Sequence, residues 1–244
     1  MKALVRTLRR LSQLIRREVT SADTALITLV ERRISEDIAQ RCVRDGAVVF
    51  EDQWLARRHC AERLRSNPAD GLNLEFGVFR GRSINFFAEQ LPSQTFHGFD
   101  SFEGLPSGNG FWARYFSKGR FDLGGRLPPT QANVTLHAGW IEETLPAMLK
   151  TVPDEPVRFA HIDTDIYESA RQILELIEPR LRPGSILLFD EYCNYPGFTS
   201  EEYRAFQEFV ATAGVEYRII CAAMNERRFG ALGKVAMEIL SINH

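Results

Sequence analysis

The sequence predicts an α/β fold: a largely parallel sheet covered by helices on both faces and preceded by a helical N-terminal extension. Two observations carry this. From about residue 70 onward, short apolar runs of strand length alternate with longer runs of helical period, the pattern of parallel strands joined by helical crossovers. The last two strand runs are separated only by MNERRFGALGK, about eleven residues, which is short for a helical crossover and suits an antiparallel hairpin.

Residues 1–65 read as helical. Leu4, Leu8, Leu11 and Ile15 recur at helical spacing. The pattern continues through Leu26, Leu29, Val30, Ile34 and Ile38 and again around Trp54 and Leu55, with few breakers before Gly46. Lys2, Arg6, Arg9, Arg10, Arg16 and Arg17 all precede the first acid, Glu18. The start is therefore a basic amphipathic helix, read as packed on the domain with its charges in solvent. An anionic membrane surface or a partner subunit is the alternative contact.

The texture changes at Asn67-Pro68. LNLEFGV (72–78) reads as a buried strand, SINFFAEQL (83–91) as a helix, and TFHGFD (95–100) as a strand ending in an acid. NVTLHAG (133–139) is a strand, followed by a helix from Ile141 to about Lys150. VRFAHID (157–163) is a strand, and YESARQILELIEPRL (167–181) a helix stopped by Pro183-Gly184. SILLFDE (185–191) is a strand, SEEYRAFQEFVATAG (200–214) a helix, and VEYRIICA (215–222) and KVAMEIL (234–240) are the closing strands. The expected division is an extension over 1–69 and an α/β domain over 70–244.

Composition narrows the function. A chain of 244 residues, 44% hydrophobic, can bury one sizeable core. A formal net charge of −2 argues against wholesale nucleic-acid binding. Cys42, Cys60, Cys193 and Cys221 form no CxxC pair and read as reduced thiols of a cytoplasmic protein, with no zinc-ligand spacing. No stretch approaches the roughly 18 apolar residues of a membrane-spanning helix, and arginines interrupt the N-terminal apolar stretches, so a secretory signal is not expected.

The turn LEFGVFRGRS (74–83) holds Glu75, Gly77 and Gly81 between a strand and a helix. Glycines there let a ligand approach the backbone, and the following helix start offers free N–H groups. The GxGxxG of dinucleotide sites is absent, which disfavours an NAD-dependent oxidoreductase. An acid before the glycine would repel phosphate and suits an ammonium; the alternative is a tight turn with an exposed glutamate. The next strand ends at Asp100, where a carboxylate can accept both hydrogens of a ribose diol or serve only as a turn or cap residue.

Five motifs carry a resemblance: Glu75-x-Gly77-x-x-x-Gly81, GFDSFEGLP (98–106), HAGWIEETLP (137–146), HIDTDIYES (161–169) and LLFDEY (187–192). In this order they resemble the macrocin O-methyltransferase (TylF-type) family of class I S-adenosylmethionine-dependent methyltransferases. The resemblance spans roughly 72–210, and residues 1–65 carry none of it. It implies a Rossmann-like three-layer sandwich with seven strands, the last antiparallel, and S-adenosylmethionine at the strands' carboxyl ends. By position, Glu75, Gly77, Phe79, Arg80, Gly81 and Ser83 would hold the methionine part. Asp100, Ser101 and Phe102 would meet the ribose, and Gly139 and Trp140 the adenine, although a tryptophan is often core.

The resemblance also implies magnesium ligands at Asp163, Asp190 and Glu191. Three converging carboxylates would repel one another without a cation, and magnesium favours oxygen ligands. Glu191 departs from the family's usual aspartate. Asp163 and His161 are the expected catalytic residues. His161, two residues earlier on the same strand face, is either a second base or a hydrogen-bonded core histidine, and Asp165 is expected to cap the helix near Tyr167. The aromatic and basic loop over 101–132 reads as a lid or a subunit contact. The expected acceptor is a hydroxyl of a small molecule or sugar, with the N-terminal helices as a homo-oligomer contact. A metal-independent O- or N-methyltransferase and a non-catalytic nucleotide-binding module are the alternatives.

Overall fold

The computed structural model describes residues 26–67, 70–105, 119–152, 154–224 and 232–243. The basic stretch at 1–25, most of the aromatic loop at 106–118 and the hairpin tip at 225–231 lie outside them. Residues 26–45 form α1, which stops at Gly46 with a left-handed φ of 68°. The helical expectation for 1–65 then fails over three residues. Val48–Phe50 is a strand, β1, paired in parallel with β7 (Glu216–Met224). Two valines before a phenylalanine favour a pleated edge over a helix. Asp52 opens α2 (Gln53–Ser66) by accepting the N–H of Trp54.

The chain continues through β2 (Leu72–Phe76), α3 (Arg82–Gln90), β3 (Phe96–Asp100), β4 (Val134–Ala138), α4 (Ile141–Thr151), β5 (Val157–Ile162) and α5 (Tyr167–Ile177). It ends with β6 (Leu181–Phe189), α6 (Glu202–Ala213), β7 and β8 (Leu232–Ser241). One boundary corrects the sequence reading: α5 stops at Ile177, not at residue 181. Pro179 lacks the N–H that would continue the helix. Leu181 already pairs with Val157, and Pro183 and Gly184 lie in the bulge before Ile186 pairs with Phe159.

The sheet order is β1-β7-β8-β6-β5-β2-β3-β4. Only β8 is antiparallel to its neighbours, β6 and β7, so the expected reversed hairpin is present. Among the described residues there are eight strands rather than the expected seven, because β1 adds an edge. Helices α1, α4, α5 and α6 cover one face and α2 and α3 the other, each over its own apolar cluster. The stretch expected as an extension therefore contributes to the sheet and to both helical layers. From β2 the chain runs outward to β3 and β4 on one side and returns to β5 and β6 on the other. The crevice at the carboxyl ends of β2 and β5 is thus a topological switch point, where open α/β sheets bind ligands. No helix among the described residues is long and apolar enough to cross a membrane.

Candidate active site

The two central strands meet closely at this crevice. The Asp163 N–H donates to the Phe76 carbonyl at 2.9 Å. A Cβ on Gly77, whose φ is 86°, would lie 1.9 Å from the Asp163 carbonyl oxygen. Any larger residue at 77 would push the strand ends apart, so this glycine is dictated by sterics and not only by turn preference.

A cavity opens above the strand ends. Gly77 and Phe79 line it after β2, Asp100 and Ser101 at the end of β3, Gly139 and Trp140 after β4, and Asp163, Thr164 and Asp165 after β5. One Asp100 oxygen accepts the N–H groups of Val78 at 2.9 Å and Phe79 at 2.7 Å; the other accepts that of Phe102 at 2.7 Å. Asp100 thus ties the glycine turn to the end of β3 while facing the cavity. Trp140, 36% exposed, is a cavity wall and not a core residue. The aromatic loop starts and returns here, since the Leu105 N–H donates to the Arg120 carbonyl at 2.9 Å. Phe121 lines the cavity edge-on to Phe79, at 5.2 Å between centroids.

Five residues expected at the cofactor do not line this cavity. Glu75 is buried beneath it, accepting from the Ser83 hydroxyl at 2.9 Å and meeting His161 Nδ1 at 2.9 Å. Ser83 is thereby engaged as well. Gly81 caps the start of α3, Phe102 is buried in the core, and exposed Arg80 lies over the Phe79 ring.

Of its two expected roles, His161 takes the place of the hydrogen-bonded core histidine and not that of a base. It is fully buried, with Nδ1 on Glu75 and Nε2 facing Asp190 Oδ1 at 3.4 Å. A ring engaged at both nitrogens has no route to an acceptor hydroxyl, so it links two acids and is not a general base. Burial alone would lower its pKa, but the hydrogen bonds to Asp190 and Glu75 outweigh it and raise the imidazole to about 9.

The acids beyond it have divergent environments. Burial, and then the charge of Asp190, push Asp163 up to about 7 against the opposing pull of His161, Lys234 and Arg57. Burial also presses on Asp190, yet Lys234, Arg57 and His161 together hold it well below the usual carboxylate range. The contacts explain this. Lys234 Nζ donates to Asp190 Oδ2 at 2.7 Å and to its carbonyl at 3.2 Å, and the Arg57 guanidinium donates to Oδ1. His161, Asp163 and Asp190 each bring a ligand atom to within 4.8 Å of the others; among the described residues this is the one such group, and it does not include Glu191.

Asp165 does not cap α5. The N-cap is Ile166, without a side-chain bond, and the Tyr167 N–H donates to Glu201 Oε2 at 3.0 Å. Glu202 Oε1 accepts the N–H groups of Thr164 at 3.0 Å and Asp165 at 3.1 Å, and its other oxygen accepts that of Glu191 at 3.4 Å. A carboxylate from α6 therefore sets the loop that carries Asp163 and leaves Asp165 facing the cavity. Adjacent acids at a helix start are ordinary, so nothing local marks Glu202 as a buried residue. Glu202→Ala is expected to cost about 1–3 kcal/mol of stability through the orphaned N–H groups. It should lower kcat about tenfold with little change in S-adenosylhomocysteine affinity. Urea unfolding, steady-state kinetics and calorimetric titration test this, and an unchanged kcat would rule out the anchoring role.

Comparison with known proteins agrees with this geometry. Residues 74–192 match the family model described as a methyltransferase domain. A Streptomyces olivaceus protein, 8-demethyl-8-(2,3-dimethoxy-alpha-L-rhamnosyl)-tetracenomycin-C 4'-O-methyltransferase, is 29% identical over 55% of this chain and 58% of its own length. Mycinamicin III 3''-O-methyltransferase of Micromonospora griseorubida is 27% identical over 56% of this chain and 61% of its own. The matches thus span less than two thirds of these relatives. Among solved structures, the O-methyltransferase NovP superposes with a TM-score of 0.56 at 22% identity, over 76% of this chain and 78% of that one. A calicheamicin methyltransferase gives 0.53 at 23%, over 75% and 77%. Residues 74–192 thus carry the pattern of a methyltransferase domain, and in motifs, cavity and fold the chain resembles the class I S-adenosylmethionine-dependent methyltransferases of the macrocin O-methyltransferase type.

Proposed function

We propose that this protein transfers a methyl group from S-adenosylmethionine to a hydroxyl of a sugar carried by a small molecule. The observation that carries the reading is the cavity itself, which holds Asp100 over one strand tip and Asp163, with its raised pKa, over another. S-adenosylmethionine supplies a methyl group made electrophilic by its sulfonium. The glycine turn at 77 gives it close approach to the backbone, Asp100 accepts from the ribose diol, and Trp140 offers a face to the adenine. Asp163 accepts the hydroxyl proton as the C–O bond forms and the C–S bond breaks, the bonding pair returning to sulfur. A carboxylate near pH 7 in pKa is suited to that transfer. Alignment of the oxygen with the C–S bond is the larger task, worth up to about 7–11 kcal/mol.

A sugar hydroxyl is favoured because the tetracenomycin relative's name specifies a rhamnosyl group and both names specify O-methylation. Magnesium, which the motif suggested, fits poorly. Asp190 already binds two cationic side chains, and Glu191 is outside the group of converging ligand atoms. No step is assigned to a metal. The test is incubation of the full chain with S-adenosylmethionine and a panel of deoxysugar-bearing macrolides, aminocoumarins and nucleotide-linked deoxysugars. Mass spectrometry should show a 14-dalton gain on one sugar. No gain on any member, together with no calorimetric binding of S-adenosylhomocysteine, would refute the reading.

A further inference from the structure

We infer that Arg57 and Lys234 stand in for a divalent cation at Asp190, so that this site works without a metal. The inference rests on the methyl-transfer reading above and deepens it. Two carboxylates, Asp163 and Asp190, bring oxygens within 4.8 Å of one another at the strand tips, and such a pair needs positive charge for both to remain ionised. In this chain the positive charge is covalent. Lys234 enters from β8 and Arg57 from α2, and together they carry the same charge as one divalent ion. Both ion pairs with Asp190 are buried, with side-chain exposures of 5% for Arg57, 10% for Lys234 and 11% for Asp190.

Their geometry is built and not incidental. Arg57 also donates to Gln53 Oε1 at 2.7 Å, and its guanidinium lies 4.8 Å from the Trp54 ring centre. Lys234 grips Asp190 through two of its hydrogens, one on the carboxylate and one on the backbone carbonyl. Neither residue lies in the matched segment 74–192. The acids therefore come with the family motif, while their counter-charges come from parts of the chain outside it. A divalent ion on Asp190 would have to displace an ammonium or a guanidinium already desolvated against it, and buried pairs of this kind do not open cheaply.

The test uses Mn2+ alone, titrated into the full chain and followed by electron paramagnetic resonance. The wild type is expected to bind no Mn2+ at this site up to millimolar concentration. Lys234→Met removes one counter-charge and should gain Mn2+ affinity at least tenfold, while Lys234→Arg should behave as wild type. Stoichiometric micromolar Mn2+ binding by the wild type, weakened by Asp190→Asn, would overturn the inference. If Lys234→Met fails to fold, as thermal melting would reveal, the wild-type titration still decides. Calorimetric titration of S-adenosylhomocysteine in chelator reports separately on the methyltransferase reading: binding is expected to be unchanged. Loss of that binding on chelation, regained on adding Mg2+, would also overturn the metal-free site.

Discussion

In Asp163→Asn, methyl transfer is expected to fall by about 10²–10⁴-fold, the usual worth of a general base, while the protein becomes more stable. Both effects have one cause. The side chain is held where its charge is disfavoured, first by burial and then by Asp190, so its pKa rises from 3.8 to about 7. In the reaction that makes it a base able to take a proton near neutral pH. The wild-type rate should fall about tenfold per unit as pH drops below about 7, a limb that Asp163→Asn lacks. In the folding equilibrium the sign is opposite to that of a salt-bridged acid. The native state holds this proton where the unfolded chain has released it. Stability is therefore lost as pH rises from about 4 through 7. The displacement sets a ceiling of about 4 kcal/mol; with relaxation and partial solvent contact, about 1–2 kcal/mol is the reasonable expectation. Asparagine has no charge to disfavour, so its melting temperature at pH 8 should exceed that of the wild type by a few degrees, with the difference vanishing near pH 4. A variant that is both inactive and less stable at pH 8 would place the loss in structure and not in the base.

The strands were legible because their signals are local. A buried strand such as LNLEF needs only its own apolar run, and Asp100 and Asp163 are marked by standing where such runs end. β1 was missed because Val48–Phe50 is three residues long between two helices, too short to establish a period of two. The inward turn of Glu75 was illegible for another reason. Its partners, Ser83 and His161, lie 8 and 86 residues away, and nothing in the ExG spelling says whether the acid faces a ligand or a buried imidazole. The same holds for the counter-charges of Asp190, which arrive from 133 and 44 residues away. Pairing across a fold decides the charge state of a site, and pairing is what one sequence encodes least openly. Glu202 illustrates this: an ordinary helix-start acid by position becomes the anchor of the catalytic loop through three backbone N–H groups.

Asp100→Ala should weaken S-adenosylhomocysteine binding by about 10²-fold or more, close to 3 kcal/mol. Two losses combine. The carboxylate would no longer accept from the ribose diol, a charge-assisted bond stronger than a neutral one. It would also release the N–H groups of Val78, Phe79 and Phe102. Phe79 and Phe102 are held at left-handed φ values of 47° and 55°, a conformation that costs non-glycine residues roughly 1–3 kcal/mol and persists only where neighbours enforce it. Without Asp100 these backbones can relax, and the floor and wall of the cavity shift with them. Asp100→Asn separates the contributions. Its single carbonyl oxygen can keep the Val78 and Phe79 bonds, but its amide cannot accept from Phe102, so it should fall between wild type and alanine. Direct contact with the ribose predicts that 5'-methylthioadenosine, which keeps the nucleoside and lacks the amino-acid part, loses affinity by the same factor as S-adenosylhomocysteine. If calorimetry finds methylthioadenosine affinity unchanged in Asp100→Ala while S-adenosylhomocysteine weakens, Asp100 acts only by shaping the glycine turn. If neither ligand weakens, the strand-tip acid has no part in binding the methyl donor.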